Sequence, residues 1–193
     1  MTYSQAFLDK HRDINTDHDW WDYIEEMWKE QLYERGVQMG KLYFTGFWSQ
    51  GDGACFEGSI PCVASFIRAH QLHETYPLLA QATARTWIMS WEQRGRYCHE
   101  NSLSFDTSGV ADFDEALGHV YDIEQLEDSG VTVFAEQFDK EVSDFHEHAS
   151  EVIREYCRDI YRSLEEEYDY QTSDEAVTET LEANDILEED DEA

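Results

Sequence analysis

The residues of this chain with nucleophilic or metal-binding capacity are four cysteines, at 55, 62, 98 and 157, and eight histidines. Cys55, Cys62, His70 and His73 come nearest to a zinc set, but their spacing matches none of the usual zinc patterns. Cys62 also falls in an apolar helical stretch, where a free cysteine packs as a small hydrophobe. Cys98 and His99 are adjacent on a predicted strand, so they point to opposite faces and form no dyad. His146 and His148 stand about 200° apart around a predicted helix. Neither HExxH nor GxSxG occurs. Gly46, Gly51, Gly53 and Gly58 punctuate the run after residues 41–48, yet they spell neither GxGxxG nor a P-loop. The run reads instead as a tight turn around Asp52, with Phe47, Trp48, Gln50 and Phe56 as candidate partner-gripping residues, because aromatic anchors dominate interfaces. No catalytic residue, metal or cofactor is assigned.

Carboxylates are the other chemistry. Asp and Glu number 44 against 13 Lys and Arg, for a net charge of −31. Residues 1–109 hold 15 acids and 9 bases, residues 110–193 hold 29 and 4, and residues 163–193 hold 14 acids and no base. Such a surface repels nucleic acid and anionic membranes and attracts basic partners. Within predicted helix 138–169, Glu147, Glu151, Glu155 and Asp159 recur every four residues, which places successive carboxylates about 6 Å apart along the axis. Like charges at that spacing oppose the helix. Glu165, Glu166, Asp169, Asp174 and Glu175 extend the set. A fixed row of this kind could imitate a nucleic-acid backbone and dock into a basic groove.

The elements that must position these residues follow from periodicity. Residues 16–35 read as a helix, capped by Asp17 or Asp19 and stopped at Gly36, with Trp20, Ile24, Met27, Trp28, Gln31 and Leu32 on one face. Residues 41–48 read as a strand, and 61–71 and 74–86 as short helices with Pro61 in a first turn. Residues 86–92 and 96–105 read as a hairpin around Gln93-Arg94-Gly95. An acidic helical or loop segment is predicted over 112–128, and 131–137 fits either strand or helix. Val142, Phe145, Ala149, Val152, Ile153, Tyr156, Ile160 and Leu164 form the apolar stripe of the long helix. Ser173 caps a final helix over 173–184. The expected fold is α+β and helix-rich: about three antiparallel strands packed on several helices, in one domain over 1–184, acidic from about 110. A mobile acidic tail is expected over 185–193.

Three segments carry a resemblance: FWSQGDGACFE at 47–57, RGRYCHENSLS at 94–104 and YDYQTSDEAVTETLEAN at 168–184. With them the chain resembles, over roughly 20–187, a family of small bacteriophage and prophage proteins, some of them labelled as the antitoxin of a toxin–antitoxin stability system. The resemblance implies a setting, the bacterial host cytoplasm. The N-terminal MTYSQAFLDKHRD has no basic-then-apolar leader, and no run of about 18 apolar residues suggests a membrane span.

Three functions remain open. The chain is expected to inhibit a host nucleic-acid-binding defence protein, of restriction or CRISPR type, as an acidic DNA or RNA mimic without binding nucleic acid itself. Alternatively it is an antitoxin-like or regulatory module that grips a protein through the aromatic loop. The third reading is a small enzyme of unknown chemistry. A homodimer, extending the charged surface by two-fold symmetry, is compatible with the first.

Overall fold

Residues 54–60, which the glycine content suggests as part of a loop, form the second strand of a sheet in the computed structural model, which describes residues 3–81, 89–107 and 128–188. The sheet is antiparallel, ordered β1 (Gln38–Phe44), β2 (Ala54–Ile60), β3 (Met89–Gln93), β4 (Leu103–Asp106). It has four strands where the sequence suggests three. Leu42 pairs with Phe56, Gly58 with Trp91 and Trp91 with Phe105, so period-two alternation gathers the large side chains on one face. Gly58 has no room for a side chain. A Cβ there would lie 2.6 Å from the Gln38 carbonyl oxygen and 2.9 Å from the Trp91 ring. The indole covers the glycine and donates from Nε1 to the Phe56 carbonyl at 2.9 Å. A composition that looks like a turn is here a strand whose glycine makes space for a tryptophan.

The predicted hairpin is an antiparallel pair, but its loop is longer than Gln93-Arg94-Gly95. Residues 96–102 are not strand. His99 Nδ1 accepts from the Asn101 amide, Glu100–Ser102 form a 3-10 turn, and the Arg94 amide donates to the Ser102 carbonyl. Local side-chain bonds outcompete the ladder there.

The helices begin with α1 (Gln5–Lys10), an element beyond those expected from periodicity; Ser4 caps it by accepting from the Phe7 amide. The predicted helix at 16–35 starts later, as α2 (Asp22–Glu34). Its Ile24, Trp28 and Leu32 are buried as expected. Gly36, at φ +78°, stops it: the Val37 amide donates to the Leu32 carbonyl and the Gly36 amide to that of Tyr33. After α3 (Val63–Ala69) only the 3-10 turn Leu79–Gln81 is helical up to residue 81. Pro61 sits one residue before the α3 cap, Cys62, and not in its first turn. The predicted segment 112–128 lies almost wholly outside the described residues.

The long helix α4 runs Asp128–Gln171, longer than the predicted 138–169. Phe145, Ala149, Ile153, Tyr156, Ile160 and Leu164 are buried, as the stripe predicts. Val142 is only half-buried. One residue earlier, Glu141 takes the inward position at 4% exposure, and its Oε2 accepts from the Leu78 and Leu79 amides at 2.9 and 3.2 Å. The carboxylate thereby closes the start of the 3-10 turn. Helix α5 (Asp174–Ala183) is capped by Ser173, whose hydroxyl accepts from the Ala176 amide at 3.2 Å, as predicted.

The chain divides into two compact units, Met27–Tyr161 and the pair of segments Met1–Glu26 and Arg162–Ala193. The first holds the sheet, with Phe66, Tyr76 and Phe145 in edge-to-face contact. In the second, Phe7 and Leu8 of α1 pack on Val177 and Leu181 of α5, with Tyr3, Ile14 and Ile186 beside them. Arg12 ties this unit together, donating to the Thr172 carbonyl at 2.9 Å and pairing with Asp9 and Asp174 at 2.5 Å each. Residues 185–188, expected to fray, are instead bonded back: the Ile186 amide donates to the Leu181 carbonyl and Ser4 donates to the Glu188 carboxylate.

Replacing Glu141 with Ala leaves two amides unpaired and is expected to lower unfolding free energy by about 2–4 kcal/mol, read from urea denaturation. Glu141→Gln, which retains an acceptor, should lose less. Burial holds the His70 and His146 imidazoles below their ordinary pKa, with the Arg35 charge also acting on His70. Folding thus favours the neutral rings. Their contribution is intact above the unfolded value near 6.5 and is lost as pH falls from there through the lowered folded values. The urea midpoint should therefore drop between pH 7.5 and 5.5, and less so in a His70→Gln/His146→Gln double variant.

Candidate functional site

On α4, Glu147, Glu151 and Glu155 are exposed and Asp159 is half-buried, on the side away from the apolar stripe. The row is not a bare array. Arg158 donates to Glu151 Oε1 at 2.8 Å, and Arg154 stands 3.6 Å from Oε2. The Arg158 bond, with the charge of both guanidiniums, holds the Glu151 carboxyl below its usual range. Arginines three and seven residues onward supply counter-charge in the middle of the row.

The second acidic set belongs to the smaller unit. Glu166, Asp169, Asp174 and Glu175 are exposed, and Glu165 is half-buried. Asp174 is committed to Arg12, whose hydrogen bond lowers its pKa. Glu165, Glu166, Asp169 and Glu175 have no ion-pair partner among the described residues. Residues 1–26 and 162–193 together carry 21 acids and 3 bases. The described carboxylates of this set stand on helices, and α5 is held by its serine cap and by an apolar contact with α1.

The candidate loop is well defined. Asp52 Oδ2 accepts from the Trp48 and Ser49 amides at 3.1 and 2.6 Å. Gly51 lies at φ +97°, a conformation glycine adopts without strain. Gly53 admits the backbone of residues 98–99, since a Cβ there would be 2.6 Å from His99 Cβ. Phe47 is held between Phe44 and Tyr161, ring centroids 6.4 and 5.5 Å away, and the Tyr161 hydroxyl donates to the Gly46 carbonyl at 3.0 Å. Trp48 projects from this support at 74% exposure. Gln50 is exposed as well. Phe56 is not part of the loop: it lies in β2, wholly buried, edge-on to Trp91. The period-two face of the sheet claims it.

Among the described residues no group of three or more His, Cys, Asp or Glu is placed to hold a metal ion. Cys55 and Cys157 are fully buried, and burial pushes both thiols up, Cys55 to about 12, which leaves them unreactive as nucleophiles. Cys62 accepts from the Ser65 hydroxyl, and the His70 ring nitrogen Nε2 is paired with the Tyr156 hydroxyl at 3.3 Å. Cys98 and His99 lie in the loop before β4 and not on a strand, so opposite-face geometry does not govern them.

The chain belongs to the DUF8835 family. That family is described as a domain of unknown function, and its profile matches residues 20–174. No curated protein and no solved structure matches the chain. The DUF8835 match spans all four strands, α2, α3 and α4, and both loops that meet at Gly53. Helix α1 and all of α5 after Asp174 lie outside it. No helix among the described residues is long and apolar enough to cross a membrane.

Asp52→Ala removes the acceptor for two loop amides. Hydrogen exchange at Trp48 and Ser49 should accelerate by at least tenfold while exchange in β2 stays unchanged. The loss in global stability should be about 1 kcal/mol or less.

Proposed function

We propose that the chain is a binding protein for a basic, nucleic-acid-binding host protein, which it blocks as an acidic mimic of DNA or RNA. The supporting observation is where the charge sits. Residues 1–26 and 162–193 hold nearly half of all acids with 3 of the 13 bases, and most of their described acids, Glu166, Asp169 and Glu175 among them, stand on helices. A solvating tail has no need of a serine cap, an arginine tie and an apolar contact; a surface presenting carboxylates at fixed positions does. Glu166, Asp169 and Glu175 are the preferred contact residues, because Asp174 and Glu151 already hold arginines. The row at 147–159 is the weaker candidate for the same reason. The resemblance to phage and prophage proteins supplies the setting, in which the target is host defence machinery acting on nucleic acid.

A second reading uses the Gly-rich loop as the grip of a regulatory or antitoxin-like module. It is favoured by one observation, the exposure of Trp48 on a loop whose amides are fixed from below. A largely exposed indole on rigid backbone is a ready hot spot.

The test is capture from nuclease-treated bacterial lysate on the immobilised chain. Mimicry predicts a retained nucleic-acid-binding protein that elutes with rising salt and is displaced by added duplex DNA or RNA. Glu166→Lys/Asp169→Lys/Glu175→Lys should abolish retention, and reversal at 147, 155 and 159 should weaken it less. A partner that resists salt, ignores nucleic acid and survives the triple reversal sinks the proposal.

A further inference from the structure

The loop that carries Trp48 does not stand alone. Gly51 lies against the ring of Tyr97, with a would-be Cβ 3.5 Å from the ring, and Gly53 lies against Cys98 and His99. Residues 45–53 and 94–102 therefore make one double-loop surface. The second loop is as firmly built as the first. Gln93 Nε2 donates to the Gly95 and Tyr97 carbonyls at 2.7 and 3.1 Å, and the Arg94 amide closes on Ser102. Tyr97 is 49% exposed, and the Arg96 guanidinium rests 5.0 Å over its ring.

Charge on this surface departs from the rest of the chain. Residues 45–53 and 94–102 contain two acids, Asp52 and Glu100, and two bases, Arg94 and Arg96. Asp52 is turned inward onto loop amides, and Arg94 is paired with Glu92 at 3.0 Å. Arg96 is exposed and has no carboxylate partner among the described residues, in a chain with more than three acids for every base. An arginine that finds no acid there is stationed on an aromatic ring, where its charge is offered outward. Trp, Tyr and Arg are the residue types that concentrate binding energy at protein interfaces.

We propose that Trp48, Tyr97 and Arg96 form a single protein-docking surface whose partner presents an apolar recess for the indole beside a carboxylate for the guanidinium. The occupant follows from complementarity: the recess matches a projecting indole, and the carboxylate matches Arg96, which has no carboxylate partner among the described residues. The proposal builds on the loop reading above and is separate from acidic mimicry, because it uses the near-neutral part of the chain and a partner of opposite chemistry.

A random peptide library displayed on phage, selected on the full-length chain in 150 mM salt, tests it. The expected winners combine Asp or Glu with a large aliphatic or aromatic residue. Their affinity should fall at least tenfold for Trp48→Ala, for Tyr97→Ala and for Arg96→Glu, each checked for unchanged thermal unfolding. A charge swap to Lys in the peptide should recover binding to Arg96→Glu. Enrichment of Lys- and Arg-rich peptides that bind these variants as well as the parent would overturn the docking surface while leaving acidic mimicry standing. Failure to enrich any sequence would overturn it too. So would a labelled oligothymidylate whose binding depends on Trp48 and Arg96, since stacking and phosphate contact would then explain the same residues.

Discussion

Among the described residues Glu141 is the one buried charged side chain, in a chain with 44 carboxylates. Its position shows what organises the larger unit. Leu78 and Leu79 are buried at a turn whose amides meet no carbonyl among the described residues. A carboxylate reaching inward from that helix satisfies both amides at once. The bond joins α4 to the described part of the segment that follows α3. Removing solvent from an unpaired charge would be prohibitive. Two hydrogen bonds make the burial tolerable, and they agree with the rotation that the apolar stripe gives α4, with Phe145, Ala149, Ile153 and Ile160 inward and the acids at 147, 151 and 155 toward water.

Repulsion among those acids is then handled locally. Glu151 receives two arginines from its own helix. Asp9 and Asp174 share Arg12, which also satisfies a carbonyl at the turn between α4 and α5. These bridges are exposed and worth little individually. Their value is placement: each brings a guanidinium to a point where two elements or two turns of helix meet. Carboxylates such as Glu166 and Glu175 have no ion-pair partner among the described residues.

Much of this is legible in the sequence. The apolar stripe of α4, the glycine stop at 36 and the serine cap at 173 follow from local rules that tertiary structure does not override. What is not legible depends on partners distant in the chain. Val142 fits the helical stripe as well as its neighbour, and only the amides at 78 and 79 explain why Glu141 is turned inward. Gly58 reads as loop because its use, clearing space for Trp91, is thirty residues away. Phe56 reads as a loop anchor for the same reason. Asn101 and Ser102 look like strand residues by alternation, yet His99 accepts from both of their amides, through Nδ1 and its carbonyl, and holds them in a 3-10 turn. The candidate site shares this pattern: Asp52 and Trp48 can be read locally, but the approach of Tyr97 and Arg96 comes from the fold.

The distribution of bases separates the two acidic regions in a way that total charge conceals. Residues 27–161 hold 23 acids and 10 bases, a ratio that ordinary pairing can manage. Residues 1–26 and 162–193 hold 21 and 3. If acidity served solubility alone, it would be spread over exposed positions irrespective of the elements that carry them. Instead the greater excess falls on a small unit made of α1, α5 and the ends of α2 and α4, where each like-charge pair at i,i+4 costs a few tenths of a kcal/mol and the apolar cluster is small. Such a unit is the least able to absorb repulsion. The unit keeps its excess through local ties: Arg12 between Asp9 and Asp174, Asn15 on the Gln171 carbonyl, Ser4 on Glu188, and the apolar cluster of Phe7, Leu8, Val177 and Leu181.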